Sequence, residues 1–157
     1  MSEGSHKVMQ SCTYGGNPLS CATGVAVLRY VEEHGLVARA GVMGERLLGK
    51  LKQQLDDVPC VAQVRGKGLF IGIEIVADKQ SKEPFPASWD VTHRIEKAAF
   101  DNGLWILGGV TGLVDGVAGD HFEVLPPYTI EDEHVDFIAA TLRQCILQVT
   151  SELPGQA

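Results

Sequence analysis

A glycine-rich turn that runs directly into a helix start is the part of this sequence best suited to bind a ligand. Residues 13–18 read TYGGNP, in which asparagine is a preferred N-cap and proline is favoured at the first helical position. Free N–H groups at a helix start, together with the positive end of the helix dipole, attract anions. Gly15 and Gly16 let a bulky ligand approach the backbone, and the Thr13 hydroxyl adds a donor. On the residues alone an ordinary loop-to-helix junction is favoured, and an anion site formed by Thr13, Gly15, Gly16 and the helix start is the alternative.

A second candidate is Arg65, a fixed positive charge in the RGKG segment that separates two predicted strands. A guanidinium group can bind a substrate carboxylate through two parallel hydrogen bonds. The alternative is a structural arginine that pairs with a neighbouring carboxylate or strand end, and we favour it. Asp120, His121 and Glu123 do not predict a metal site, because adjacent residues of one strand point to opposite faces and no second cluster has ligand spacing.

The elements that position these residues follow from hydrophobic periodicity and from turn and capping residues. Helices are predicted at 18–33, 37–55 and 90–102, with Asp90 capping the third, and residues 129–132 open a C-terminal helix. Strands are predicted at 60–64, 69–76, 104–107 and 122–125, and the five-glycine stretch 108–120 is predicted to be a long, mobile loop. This pattern predicts an α+β fold, with helices packed on one face of a small, mostly antiparallel sheet.

The second predicted helix carries a clear apolar stripe, and its opposite face holds Arg39, Glu45, Arg46, Lys50 and Lys52, which we expect to be solvated. The expected stripe comprises Val37, Ala40, Gly44, Leu47, Leu48, Leu51 and Leu55. Three glycines lower the helix propensity here by up to about 1 kcal/mol each relative to alanine. Close packing against another element is the expected reason for at least one of them.

Bulk properties limit the possible partners. The chain has 157 residues, a formal net charge of −7 and an isoelectric point near 5.1, which argues against nucleic acid or an anionic membrane as partner. The four cysteines include no C-x-x-C pair, so thiols in a reducing compartment are expected rather than a disulfide framework or a zinc site. With no signal peptide or membrane-length apolar run, the expected location is the cytoplasm.

Three motifs in order give the chain a family resemblance. The segment TYGGNPLSCA at 13–22 resembles the signature that opens the small C-terminal domain of class III (omega-type) pyridoxal-phosphate-dependent aminotransferases. VRGKGL at 64–69 and GDH at 119–121, followed by LPPYTI at 125–130, resemble later motifs of the same family. The resemblance covers roughly residues 5 to 150 and implies that family's small-domain fold. It also implies the division 1–17 (linker or interface segment), 18–151 (small domain) and 152–157 (tail).

The resemblance implies a function for the glycine-rich turn. In the family, the threonine that matches Thr13 reaches across a dimer interface and hydrogen-bonds the phosphate of pyridoxal 5'-phosphate bound to the other subunit. Tyr14, Gly15 and Gly16 are the expected supporting residues. A homodimer, a small-molecule amine or amino-acid substrate and a large cofactor-binding domain are the partners that this implies.

The family's Schiff-base lysine and pyridine-pairing aspartate lie on the large N-terminal domain, and no lysine of this chain has a matching setting. We therefore expect the chain alone to bind no cofactor covalently and to be inactive. Glu123 stands where ornithine-acting relatives have a carboxylate-binding arginine, and Asp115 or Gly116 stands where amine:pyruvate relatives have one. Residues 9–14 read MQSCTY rather than a pattern like MHGHTY. The amino donor stays open, and a non-catalytic module for self-association or for binding a phosphorylated ligand is the alternative function.

Overall fold

The computed structural model describes residues 13–109, 112, 116 and 118–154, and the chain divides into two compact units between residues 35 and 36. The first unit contains helix α1 (Pro18–Glu33), none of whose residues is buried. The second unit contains all the other elements. The division of the chain at 17/18 and at 151/152 that the resemblance implies stays a prediction.

The second unit is built on a four-stranded antiparallel sheet. Its strands are β1 (Val61–Lys67), β2 (Phe70–Ile75), β3 (Leu107–Gly108) and β4 (Asp120–Val124), in the spatial order β1-β2-β4-β3. The period of the sequence at 69–76 predicts that the isoleucines share one face, and this is confirmed in β2, because Ile71, Ile73 and Ile75 are buried while Phe70 is exposed. Val76, predicted on the face of Phe70, is buried as well. β1 continues to Lys67, which pairs with Phe70. The RGKG segment is therefore largely strand, and Arg65 lies within β1.

Three helices cover one face of this sheet: α2 (Leu36–Leu55), α3 (Val91–Asp101) and α4 (Asp132–Ser151). A short 3₁₀ helix, Ala87–Trp89, precedes α3. The core lies between these helices and the inner side of the sheet, and it includes Leu47, Leu51, Ile95, Phe122 and Leu142. The predicted α+β class, with helices on one face of a small antiparallel sheet, is confirmed.

Two expectations about α2 need correction. Val37 is 72% exposed, so the stripe begins at Leu36 and continues through Met43 instead. The basic face is also not simply solvated. Arg46 forms an ion pair with Asp132 at 2.6 Å, and Lys50 forms one with Asp136 at 2.7 Å.

Arg39, on the same face of α2, donates to the backbone carbonyl oxygens of Tyr128 and Ile130, at 3.2 and 2.6 Å. These carbonyls belong to the segment that leads into α4. The basic residues of α2 therefore fix the start of α4, although each exposed ion pair contributes only about 0–1 kcal/mol.

The expected close packing of a glycine in α2 is confirmed at Gly44. A Cβ atom on Gly44 would overlap the backbone of Gly68, in the turn between β1 and β2. A larger residue here would push the helix away from the hairpin, so Gly44 sets the spacing between α2 and the sheet.

The predicted cap of α3 is wrong in its chemistry. Asp90 occupies the N-cap position, but its side chain makes no capping hydrogen bond and its backbone is left-handed, with φ +50°. Asp120 of β4 caps the helix instead: its Oδ1 atom accepts from the Thr92 backbone N–H at 3.0 Å and from the Thr92 hydroxyl at 2.7 Å. Asp120 is buried, so the cap also ties α3 to the sheet.

The strand predicted at 104–107 is shorter and later than expected. Leu104 and Ile106 are buried in the core, and in the described part of this segment Leu107 and Gly108 pair with β4, followed by a hydrogen bond from the Gly109 N–H to the His121 carbonyl. Of the predicted loop at 108–120, residues 110, 111, 113–115 and 117, which include Asp115, lie outside the described residues.

Candidate functional site

The glycine-rich turn of the first unit is a tight, exposed loop at the start of α1. The Asn17 backbone N–H donates to the Tyr14 carbonyl at 3.1 Å, which closes the turn. Gly16 has φ +81°, a conformation that L side chains rarely adopt, and a Cβ atom there would meet nothing within 4 Å. Backbone conformation, rather than crowding, therefore requires glycine at position 16.

The helix start does not offer the free N–H groups that the sequence suggests. The Asn17 Oδ1 atom accepts from the Leu19 and Ser20 backbone N–H groups, at 3.0 and 3.1 Å. The Cys21 N–H makes the first intrahelical bond to the Asn17 carbonyl, and Pro18 has no N–H. The expectation of an anion seat on the helix N–H groups is therefore wrong, because the predicted cap itself occupies them.

Three other donors lie in the same turn. Among the residues that the structure describes, the Gly15 and Gly16 backbone N–H groups and the Thr13 hydroxyl make no hydrogen bond. All four residues of the turn are exposed, Tyr14 by 82%. The first turn of α1 carries no acidic side chain, so no local negative charge opposes an anion next to the positive end of the helix dipole. The turn therefore carries three donors that have no partner in the described part of the chain.

The second unit has a cavity on the sheet face that the helices leave uncovered. It encloses about 600 Å³ and is lined by outward-facing residues of three strands, including Arg65, Gly72, Glu74, His121 and Glu123. Of these residues only Arg65 is among the predicted site residues. The period of β2 places Gly72 and Glu74 on this face, but no local signal predicts which residues of β1 and β4 stand beside them.

The contacts of Arg65 favour the structural alternative. Its guanidinium donates to the Gln63 Oε1 atom at 2.5 Å and lies 3.6 Å from the Glu74 carboxylate. Both partners are on the sheet itself, so the positive charge of Arg65 is partly compensated within the protein.

The polar residues of β4 separate by face, as the sequence predicts. Asp120 points into the core, and His121 and Glu123 lie toward the cavity. The His121 ring packs against the backbone of Gly109, and its buried Nδ1 atom has no hydrogen-bond partner in the described part of the chain. Within that part, no group of three or more metal-ligating side chains occurs.

None of the helices among the described residues is both long and apolar enough to cross a membrane.

Comparison with known proteins gives consistent matches along nearly the whole chain. The family model "Aminotransferase class-III" matches residues 2–146. An uncharacterised aminotransferase of Schizosaccharomyces pombe is 37% identical over 142 residues, which are 90% of this chain and 31% of that protein.

Solved structures agree with the sequence matches. A Bacillus anthracis aminotransferase superposes with a TM-score of 0.77 at 31% identity, over 94% of this chain and 32% of that one. An amine transaminase from an uncultivated Pseudomonas species, solved in its PLP-bound form, gives 0.76 at 27% identity, over 90% of this chain and 30% of that one. The chain therefore spans about a third of the length of these relatives.

Proposed function

Because this chain belongs to the class-III aminotransferase family, we propose that it acts as the C-terminal portion of such an enzyme. The reaction of the whole enzyme is the transfer of an amino group from an amine or amino acid to a 2-oxo acid. Bound pyridoxal 5'-phosphate supplies the electron sink for that chemistry. The role of this chain is to complete the binding site for the phosphate group of the cofactor.

The observation that carries the proposal is the set of open donors in the glycine-rich turn. The Thr13 hydroxyl and the Gly15 and Gly16 N–H groups have no partner among the described residues, and a phosphate oxygen accepts from both hydroxyl and backbone N–H donors. The absence of acidic side chains in the first turn of α1 fits a dianionic group. Hydrogen bonds to a charged group contribute about 1.5–3 kcal/mol each, so this turn is able to hold a phosphate.

We further propose that Thr13 serves a second subunit. α1 exposes large apolar side chains, with Leu19 exposed by 77% and Leu28 by 69%. A helix with this much uncovered apolar surface favours association. A dimer would place the turn of one chain against the cofactor of its partner.

The covalent anchor of the cofactor belongs, in this proposal, to the large domain of the enzyme. The lysines of the chain are Lys7, Lys50, Lys52, Lys67, Lys79, Lys82 and Lys97. Lys50 is held by Asp136 and Lys97 by Asp101, and none of the seven stands in a segment that resembles the family's cofactor lysine. The chain alone is therefore expected to show no transaminase activity.

A chimeric enzyme tests this proposal. The C-terminal third of the Bacillus anthracis aminotransferase is replaced by residues 1–157 of this chain, and transamination is measured with pyridoxal phosphate present. Activity in the chimera, and none in either part alone, supports the proposed role. A chimera that folds, dimerises and binds the cofactor with no change on mutation of the turn would refute it and leave the alternative of a non-catalytic module.

A further inference from the structure

The uncovered sheet face contains a slot whose floor is Gly72. Gly72 stands in the middle of β2, directly between Arg65 of β1 and Glu123 of β4. Adjacent strands lie about 4.8 Å apart, so the backbones that carry these two side chains are about 10 Å apart. Phe70 and Glu74 stand on the same face of β2, on either side of Gly72. The result is a short trough with a cation on one wall and a carboxylate on the other.

Packing does not require a glycine at the floor of this slot. A Cβ atom on Gly72 would meet only the Arg65 carbonyl oxygen, at 4.0 Å, and its φ is not positive. Gly66 provides the contrast, because a Cβ atom there would overlap the backbone of Phe70 and crowd Ile71. Glycine inside a strand weakens it and often marks a place where a ligand or another backbone comes close. The missing side chain at position 72 therefore points to a bound group above it.

The charges around the slot indicate what that group is. Arg65 already contacts Gln63 and Glu74, whereas Glu123 makes no hydrogen bond or ion pair with any residue that the structure describes. Two lysines also line the cavity: Lys67, at the end of β1, and Lys82, in the loop after β2. On the β4 wall, where His121 and Glu123 share one face, Glu123 is therefore a carboxylate without a partner among the described residues.

We propose that this slot binds a primary ammonium group carried on an aliphatic chain, with the Glu123 carboxylate as acceptor. The chain lies over Gly72, and the exposed ring of Phe70, 57% accessible, offers it an apolar surface. This inference rests on the proposed function. It assigns to the enzyme an amino donor with two amino groups, one that reacts and one that Glu123 anchors.

The experiment is a titration of the 157-residue chain followed by ¹H–¹⁵N NMR, which needs neither cofactor nor activity. The probe is 1,4-diaminobutane, and n-butyrate, which carries a carboxylate on a chain of similar length, is the control ligand. We expect saturable shifts of the Gly72 and Glu123 amides with the diamine and none with butyrate. Glu123→Gln should raise the dissociation constant about tenfold or more, since a hydrogen bond to a charged group is lost.

Gly72→Val separates binding from folding. The new side chain fits the open face and suits a strand, so this variant should melt at or above the wild-type temperature and yet lose the diamine shifts. Gly49→Ala is the matched control: Gly49 lies in α2 with open space around it, so its melting temperature should rise while diamine binding is unchanged.

Several results would overturn the inference: no saturable shift at Gly72, equal shifts with butyrate, or equal diamine affinity in Glu123→Gln. Failure here is distinguishable from failure of the proposed function. If cofactor binding by the chimera depends on Thr13 but the diamine does not bind in the slot, the proposed function is supported and the slot inference is refuted. If the diamine binds in the slot but the chimera is inactive, the slot is an amine-binding site, and its proposed role in binding the amino donor of a transamination is refuted.

Discussion

Removing the buried carboxylate of Asp120 should destabilise the second unit more than any other single change at the start of α3. In the structure one oxygen of Asp120 accepts two hydrogen bonds from Thr92, at 3.0 and 2.7 Å. Each hydrogen bond to a charged acceptor contributes about 1.5–3 kcal/mol, and because the two share one acceptor we take their sum near its lower limit. Asp120→Ala should therefore lower the free energy of unfolding by about 3 kcal/mol. Asp120→Asn keeps an oxygen acceptor without the charge and should cost about half as much.

The assay is urea unfolding followed by tryptophan fluorescence. Both tryptophans, Trp89 and Trp105, lie in the second unit, so the signal reports on that unit alone. Asp90→Gly is the matched control, because Asp90 has the N-cap position but no capping hydrogen bond and a positive φ that glycine accepts. It should cost less than about 1 kcal/mol, chiefly through the helix dipole. If Asp90→Gly proved as costly as Asp120→Ala, the assignment of the cap to Asp120 would be refuted.

Three further predictions follow from contacts and burial. Sedimentation equilibrium should show that the chain is a dimer or a larger oligomer, because α1 exposes an apolar face that favours association. The double variant Leu19→Gln, Leu28→Gln should shift the equilibrium toward the monomer. A wild-type chain that is strictly monomeric at high concentration would contradict this prediction. The hydrogen bond from Arg143 holds the pKa of Asp57 below its usual range. A depressed carboxyl pKa contributes stability that is present above about pH 4 and is lost as the pH falls through the lower folded-state value. In Arg143→Met the free energy of unfolding should therefore fall less steeply at acid pH than in the wild type. An unchanged pH dependence would contradict a stabilising pair between Arg143 and Asp57. In a Cys12→Ser variant, a thiol reagent at neutral pH should label the exposed Cys21 first, because burial raises the pKa of both Cys60 and Cys145. Mass spectrometry locates the labelled cysteine. Fast labelling of Cys145 would contradict this prediction and show that the core opens.

Local pattern was enough to predict the α+β architecture and the two faces of β2. The alternation of isoleucine with Phe70, Gly72 and Glu74 is a property of one strand, and its period alone assigns the faces. The start of α1 followed in the same way, because asparagine and proline act on their own neighbours.

Contacts between distant segments were not predictable from that pattern. The acceptor that caps α3 comes from Asp120, 28 residues after Thr92, and the partner of Arg46 is 86 residues away. The slot over Gly72 depends on the register of three strands, which periodicity does not specify. At 13–16 the anion site stays a prediction, but one of its premises was wrong: the predicted cap, Asn17, itself occupies the helix N–H groups that were expected to bind the anion.

Whether Thr13 and its turn hold the phosphate of pyridoxal phosphate can be measured from the affinity of the chimera for pyridoxal phosphate and for pyridoxal, which lacks the phosphate. Thr13→Val removes the hydroxyl while keeping the shape of the side chain. This variant should bind pyridoxal phosphate about tenfold or more weakly, since one hydrogen bond to a charged group is lost, and should bind pyridoxal as the unmutated chimera does. Equal affinity of both proteins for pyridoxal phosphate, or an equal loss with pyridoxal, would contradict it.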